Sequence, residues 1–470
     1  MATTHRNILF LLTDDQRYDT IGALGNPAIA TPNFDRMVAR GTAFTRAGIF
    51  GGSCGAVCMP SRAMIHTGRT LYHIKDRGET IDPAHVTLGE YLGAHGYCTQ
   101  GFGKWHNERA AFARSFQDGD EIFFGGMADH WNVPAYHYDS SGRYDARLPI
   151  CPNPFYSNEV QYRSADHIPS GVHSSTLLAD AAVRGMARLP ADRPFFMYIA
   201  FLAPHDPRTM PERFRAMYDP AAMALPPNYS PVHPFDTGAM HGMRDEELAA
   251  YPRQEGEIRR HLAEYYGMIT HLDFEIGRIL DALEASERAD DTLIVLAGDN
   301  GLAVGQHGLM GKQSLYEHSV RVPLLFAGPG VPHGQRREQF CYLSDIYPTL
   351  CEYAGLPVPA SVEGRSLCAD MVADAPGPRY RYHAYQHVQR AVRDDRFKLI
   401  EYAVNGDRHT QLFDLRADPW EQHNLAANPA MQNTLARLRA ELERCRDQYD
   451  DHREGQGQAF WAGYAAQSSS

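Results

Sequence analysis

Cysteine is scarce in this chain, with 8 among 470 residues. The eight stand at 54, 58, 98, 151, 341, 351, 368 and 445 and form no Cys-x-x-Cys pair. That spacing excludes a disulfide framework or a zinc knuckle as the basis of the fold, and most of these thiols are expected to be small buried apolar groups. Long hydrophobic runs are missing too. The first apolar stretch, Ile8 to Leu12, is closed by Asp14 and Asp15. It is too short for the apolar region of a signal peptide or for a membrane span, so the chain reads as cytoplasmic, with no membrane partner. Positive charge is in deficit, 45 basic against 57 acidic residues for a net charge of −12. Broad attraction to nucleic acid or an anionic membrane is therefore not expected, and an anionic substrate would need locally placed cations.

What is present is an ordinary globular composition, 43% hydrophobic and 22% charged, in a chain long enough for one large domain and a smaller one. Apolar strands alternate with helical patterns. "NILFLLTDD", "YCTQGFGKWH", "PFFMYIAFLAPHDP" and "DTLIVLAGDNG" read as strands, while "TPNFDRMVARG", "STLLADAAVRGMARL" and "EIRRHLAEYYGMITHLDFEIGRILDALEAS" read as helices. This predicts an α/β fold: a large, mostly parallel central sheet with helices on both faces. After about residue 365 short strands and turns take over, followed by the helical "NTLARLRAELERCRDQY". The expected organisation is a catalytic α/β domain over 1–365 and a small C-terminal α+β domain with an antiparallel sheet over 366–470.

In a sheet of this kind sites form beyond the carboxyl ends of the strands. Asp14 and Asp15 end one strand, Lys104 and His106 another, His205 follows a third, and Asp299 and Asn300 a fourth. Asp14, Asp15, Asp299 and Asn300 offer only oxygen donors, which suits a hard divalent cation. Lys104 and Lys312 suit an anionic group, and His106 and His205 can move a proton near neutrality. The stretch "GGSCGAVCMPSRAMIHTGR", residues 51–69, raises a separate question about Cys58. It could pair with Cys54 for redox or metal work, act as a thiolate nucleophile, or be the precursor of another group.

Cys58-Met59-Pro60-Ser61-Arg62 with Thr67-Gly68-Arg69 resembles the CxPSRxxxxTGR signature of type I sulfatases, in which the cysteine is oxidised to Cα-formylglycine. "NILFLLTDDQR", "GKWH", "PHDP", "AGDNG" and "GQHGLMGKQSLYEHSVRVPL" fit the same family in order, and "RFKLIEY" and "QLFDLRADPWEQHNLA" are similar to its second domain. The resemblance spans nearly the whole chain. It implies that Asp14, Asp15, Asp299 and Asn300 bind one Ca²⁺, with Mg²⁺ as the other hard cation they would accept, beside residue 58. A hydroxyl of the hydrated aldehyde at 58 would then attack the sulfur of a sulfate ester. Arg62 and the metal would stabilise the oxyanion, Lys104 and Lys312 would hold sulfuryl oxygens, His205 would serve the departing alcohol, and His106 would take a proton so that sulfate is expelled.

The implied partners are a small-molecule or oligosaccharide sulfate ester, with a sugar preferred, and a formylglycine-generating maturation enzyme. A phosphodiesterase or phosphonate monoester hydrolase of the same superfamily is the alternative. A catalytically silent binding protein would have lost one of these residues, and none is lost. Departures from the family pattern are Gln306 in place of Glu, to which no role is assigned, and Asn107-Glu108, expected to mark a substrate preference; His307 is the lesser candidate for supporting the site from behind, a purely structural place being the first expectation. Two further expectations concern loops. Trp131, Tyr136 and Tyr138 should wall the leaving-group pocket, and Phe460, Trp461 and Tyr464 of the tail should pack on a partner subunit of a homo-oligomer or across the site mouth.

Overall fold

A computed structural model describes residues 6–373, 376–453 and 455–466. The run Asn7–Thr13 is buried at every position, and its side chains feed two cores. Ile8, Phe10 and Leu12 join one apolar layer; Leu9 and Leu11 join the other, against the helix Glu255–Ala285. A strand covered on both faces has no polar side, which is why its sequence is continuous and not alternating.

The central sheet has eight strands, in the spatial order Gln335–Arg337, Gly41–Phe44, Leu324–Ala327, Thr292–Gly298, Asn7–Thr13, Phe195–Ala200, Cys98–Lys104 and Asp118–Phe123. Asn7–Thr13 runs parallel to both Thr292–Gly298 and Phe195–Ala200, and Cys98–Lys104 runs parallel to Phe195–Ala200 and Asp118–Phe123. Leu324–Ala327 alone is antiparallel to both of its neighbours. The α/β architecture read from the sequence is thus present. Thr13 pairs with Gly298, so the acidic pairs that follow, Asp14-Asp15 and Asp299-Asn300, leave the sheet side by side.

A second sheet, antiparallel over Arg381–Tyr385, Gln389–Arg393, Phe397–Val404 and Asp407–Asp414, forms the C-terminal part. Its fifth strand is Gly51–Gly52, from the front of the chain, lying parallel to Arg381–Tyr385. Gly51 has a φ of 110°, and a side chain there would run into the carbonyl oxygen of Ala384. Only glycine allows this approach, which ties the C-terminal sheet to the segment just ahead of Cys58.

The tail corrects an expectation. Phe460, Trp461 and Tyr464 lie on the helix Gly455–Ala466 and pack on this chain's own C-terminal sheet, beside Leu399, Leu412 and Leu438. Trp461 Nε1 donates to Asp451 at 3.0 Å and the Tyr464 hydroxyl to Glu401 at 3.2 Å. A buried indole and phenol take partners where their rings already have an apolar bed; the sheet supplies the bed and Glu401, and Asp451 follows the helix Gln432–Gln448.

Candidate active site

Cys58 opens the helix Cys58–Thr67, which is buried on nearly all sides. Pro60 is tolerated because the first-turn N–H groups have no partner within the helix. Gly68 closes the helix with a φ of 65° and donates its N–H to Met64 O at 2.8 Å. The helix N-terminus favours negative charge at residue 58.

Every candidate site residue comes to this point. Lys104 Nζ lies 3.6 Å from Cys58 Sγ and Lys312 Nζ 3.9 Å, while His106 Nδ1 is 3.2 Å away. Lys104 is also ion-paired to Asp14, and Lys312 reaches Asp15 Oδ1 at 2.7 Å. Arg62 Nε meets Asp299 Oδ2 at 2.8 Å, and its Nη1 donates to Lys104 O at 2.8 Å. Ser61 donates to Asp299 O at 2.6 Å. Asn300 Nδ2 donates to Asp15 Oδ1 at 2.7 Å, and His205 Nε2 lies 3.6 Å from Asp15 Oδ2. Asp15 holds its place with a φ of 61°, a conformation an Asp can take.

The electrostatics separate the open readings of Cys58. Burial pushes its thiol up to about 11, and the pull of Lys104 and Lys312 does not overcome this. An unmodified Cys58 is therefore a neutral thiol at pH 7, a poor nucleophile. Cys54 donates its own thiol to Ala56 O at 3.5 Å and is in no disulfide. Burial, and then Lys104, hold His106 well below its ordinary value, so its imidazole is neutral, with Nδ1 facing residue 58. Burial works to raise Asp14, but Lys104, His205, Arg62 and Lys312 outweigh it and keep the carboxylate ionised. Burial and the neighbouring Asp14 raise Asp299 to about 6.

The acidic cluster passes a test for a cation. Asp14 Oδ1 and Asn300 Oδ1 are buried without any hydrogen-bond partner, which is costly unless something else satisfies them. Asp14, Asp299 and Cys58 each offer a ligand atom within 4.8 Å of the others. Oxygen donors of this kind fit Ca²⁺ or Mg²⁺ better than zinc.

Several residues play parts other than those expected. Tyr136 is buried against Phe124 and Tyr144 with its hydroxyl on Ala146 O, and Tyr138 donates to Phe116 O. These two rings pack among their neighbours and do not wall the site, while Trp131, half-buried, meets His173 edge-on with ring centroids 5.2 Å apart. The same loop contributes Gly126 instead, whose carbonyl accepts from Lys104 at 2.5 Å, and His130, which meets His205 O at 2.9 Å. Asn107 does not face a substrate pocket: its amide donates to Met59 O and Gly78 O, bracing the start of the Cys58 helix. His307 stacks on Tyr316 and pairs with Asn228, away from the cluster. Of the rim residues Gly126, Asp206, Arg244, Asp245 and Gln313, only Asp206, within "PHDP", and Gln313, within "GQHGLMGKQSLYEHSVRVPL", lie in family motifs.

The family model described as Sulfatase matches residues 6–356, and that described as N-sulphoglucosamine sulphohydrolase, C-terminal, matches 305–448. A sulfatase of Formosa agariphila is 29% identical, covering 94% of this chain and 87% of its own. The multifunctional alkaline phosphatase superfamily protein PehA of Trinickia caryophylli is 27% identical, covering 91% and 92%. A solved structure described as a complex with its substrate D-glucosamine-2-N,6-O-disulfate superposes with a TM-score of 0.75 at 21% identity, over 95% of this chain and 99% of the other. Among the described residues no helix is long and apolar enough to cross a membrane.

Proposed function

The chain belongs to the sulfatase family and is a sulfuric ester hydrolase, and from that premise we propose that it desulfates a carbohydrate. In this reading residue 58 works as Cα-formylglycine made from Cys58 by a maturation enzyme, and one Ca²⁺ sits on Asp14, Asp15, Asp299 and Asn300. Residues 1–365 then carry the chemistry, and 366–470 form the smaller domain. The observation that supports this best is the convergence of two buried lysines and a neutral imidazole on residue 58, beside two orphaned oxygens.

The Sγ of Cys58 stands where the oxygens of the aldehyde hydrate would be. That hydrate supplies a nucleophilic oxygen for sulfur and a second hydroxyl through which sulfate can be released. The cation supplies positive charge beside the nucleophile. Lys104 and Lys312 approach from two sides and hold the sulfuryl oxygens, charge placed in advance where charge develops. Arg62 is committed to Asp299 and Lys104 O, and its buried Nη2, without a hydrogen-bond partner and 3.8 Å from Asp14 Oδ2, is the donor nearest to hand for the oxyanion. His106, neutral and next to residue 58, accepts the hydroxyl proton. His205 has Nδ1 on Asp206 O at 2.8 Å, so its Nε2 faces the site and in the protonated form gives a proton to the departing oxygen.

The carbohydrate assignment draws on the matched C-terminal family model and on the sugar disulfate bound by the structural neighbour. A second reading, phosphodiester or phosphonate monoester hydrolysis, draws on the relative named multifunctional, because the same cations suit a phosphoryl group. The deciding experiment measures release of sulfate from a panel of defined sulfated sugars and from an aryl sulfate, alongside an aryl phosphonate. Turnover of the phosphonate faster than of any sulfate ester would reverse the order of the two readings.

A further inference from the structure

Arg244 begins the short 3₁₀ helix Arg244–Leu248. Its side chain is 43% exposed, yet its partners are buried: Nη2 is paired to Asp206, 6% exposed, and Nη1 to Asp245 at 3.1 Å, 13% exposed. Both partners touch the site. Asp206 lies against His205, with Oδ1 3.5 Å from Nδ1. Asp245 accepts from Gln313 Nε2 at 2.7 Å, and that same amide donates to Gly55 O at 2.8 Å, three residues ahead of Cys58.

The loop is fixed on the opposite flank as well. The Glu246 carboxylate accepts from the backbone N–H of Gly311 at 3.0 Å and of Met310 at 3.1 Å, on the turn that carries Lys312, and is paired to Arg253. Arg244 is therefore held between the His205 side and the Lys312 side of the site, with its free edge toward solvent. An ordinary surface ion pair needs no such construction and contributes little. With two carboxylates already facing it, the charge of the guanidinium is largely answered by its own partners, and it offers less to a second anion than a free arginine would. Its unused donors, Nε–H and one N–H on each Nη, form a rigid fork that suits neutral oxygens.

We propose that Arg244 is a specificity-determining residue that donates hydrogen bonds to hydroxyl or ring oxygens of the sugar whose sulfate occupies the site, with Asp206 and Asp245 as its positioning residues. This rests on the carbohydrate reading above and names the contact that reads the alcohol half.

The test uses the matured full-length enzyme with two substrates: the sulfated sugar that the wild type cleaves fastest, and 4-nitrophenyl sulfate. Arg244→Met is expected to raise KM for the sugar sulfate about tenfold, several times more than for the aryl ester, and Arg244→Gln, which keeps neutral donors, to recover part of the loss. Arg244→Gln/Asp245→Asn offsets the charge left behind and provides a folded alternative should Arg244→Met not fold. A sugar-to-aryl ratio of kcat/KM unchanged in these variants would overturn the proposal, since Arg244 would then act only through Asp206 and His205. So would Arg244→Gln behaving no better than Arg244→Met with a salt-dependent KM, because the recognised group would then be an anion. A wild type that cleaves the aryl ester and no sulfated sugar is a separate result, which removes the carbohydrate reading itself.

Discussion

Cys58 Sγ and His106 Nδ1 lie 3.2 Å apart, and Gly126 closes in on the other nitrogen of the same ring. A Cβ on Gly126 would stand 2.8 Å from His106 Nε2, so the ring could not keep its place. Gly126→Ala is expected to lower kcat/KM by about 10- to 100-fold through misplacement of His106, with a melting temperature near that of the wild type. Steady-state kinetics and a thermal melt check both halves.

Conversion of Cys58 makes the peptide covering residues 47–62 lighter than its cysteine form, which mass spectrometry reads directly. Cys58→Ala is expected to cost at least about a thousandfold in kcat. Fully active protein carrying only unmodified cysteine would refute the proposed chemistry.

The orphaned Asp14 Oδ1 and Asn300 Oδ1 lead to a metal prediction. Chelation should lower the melting temperature, and added Ca²⁺ should restore it in a concentration-dependent way, as expected of a ligand that binds the folded form. Asp299→Asn, which removes a charge from the cluster, should shift the Ca²⁺ titration to higher concentration. A melting temperature indifferent to chelator and to Ca²⁺ argues against the site.

Glu317 is a buried carboxylate among cations of the C-terminal sheet: Arg393 at 2.6 Å, Lys398 at 3.1 Å and Arg381 at 3.7 Å. Removing the anion from such a group leaves buried charge uncompensated. Glu317→Ala is expected to destabilise the protein by about 3–5 kcal/mol, read as a lower urea midpoint, whereas breaking an exposed pair such as Arg215–Glu212 should leave the midpoint close to that of the wild type.

His167 is hydrogen-bonded to Glu121 at 2.8 Å and also to Asp166, and Glu121, outweighing the effect of burial, helps raise it to about 9. A base raised on folding contributes its stability in full below its ordinary value of about 6.5, and loses it as pH climbs through 9. The melting-temperature difference between wild type and His167→Gln should be largest near pH 6 and close above pH 9. A gap that widens with pH would contradict the assignment.

The strands and the reacting groups were legible in the linear sequence for separate physical reasons. A strand buried on both faces must be continuously apolar, so Ile8–Leu12 announced the sheet, and polar residues at strand ends announced the site. The Cys58-Met59-Pro60-Ser61-Arg62 run with Thr67-Gly68-Arg69 carries chemistry in consecutive residues, which is why it can be read without a fold. Contacts between distant segments leave no such trace. That Gly51 completes the sheet of Arg381–Tyr385, that Gly126 packs on His106, and that Arg244 is gripped by Asp206 depend on chain crossings tens to hundreds of residues apart. Tyr136, Tyr138 and the aromatics of the tail looked available because composition records only that a ring must be buried. Which surface buries it was decided by the tertiary structure, where an apolar bed with an acceptor lay close by in the same chain.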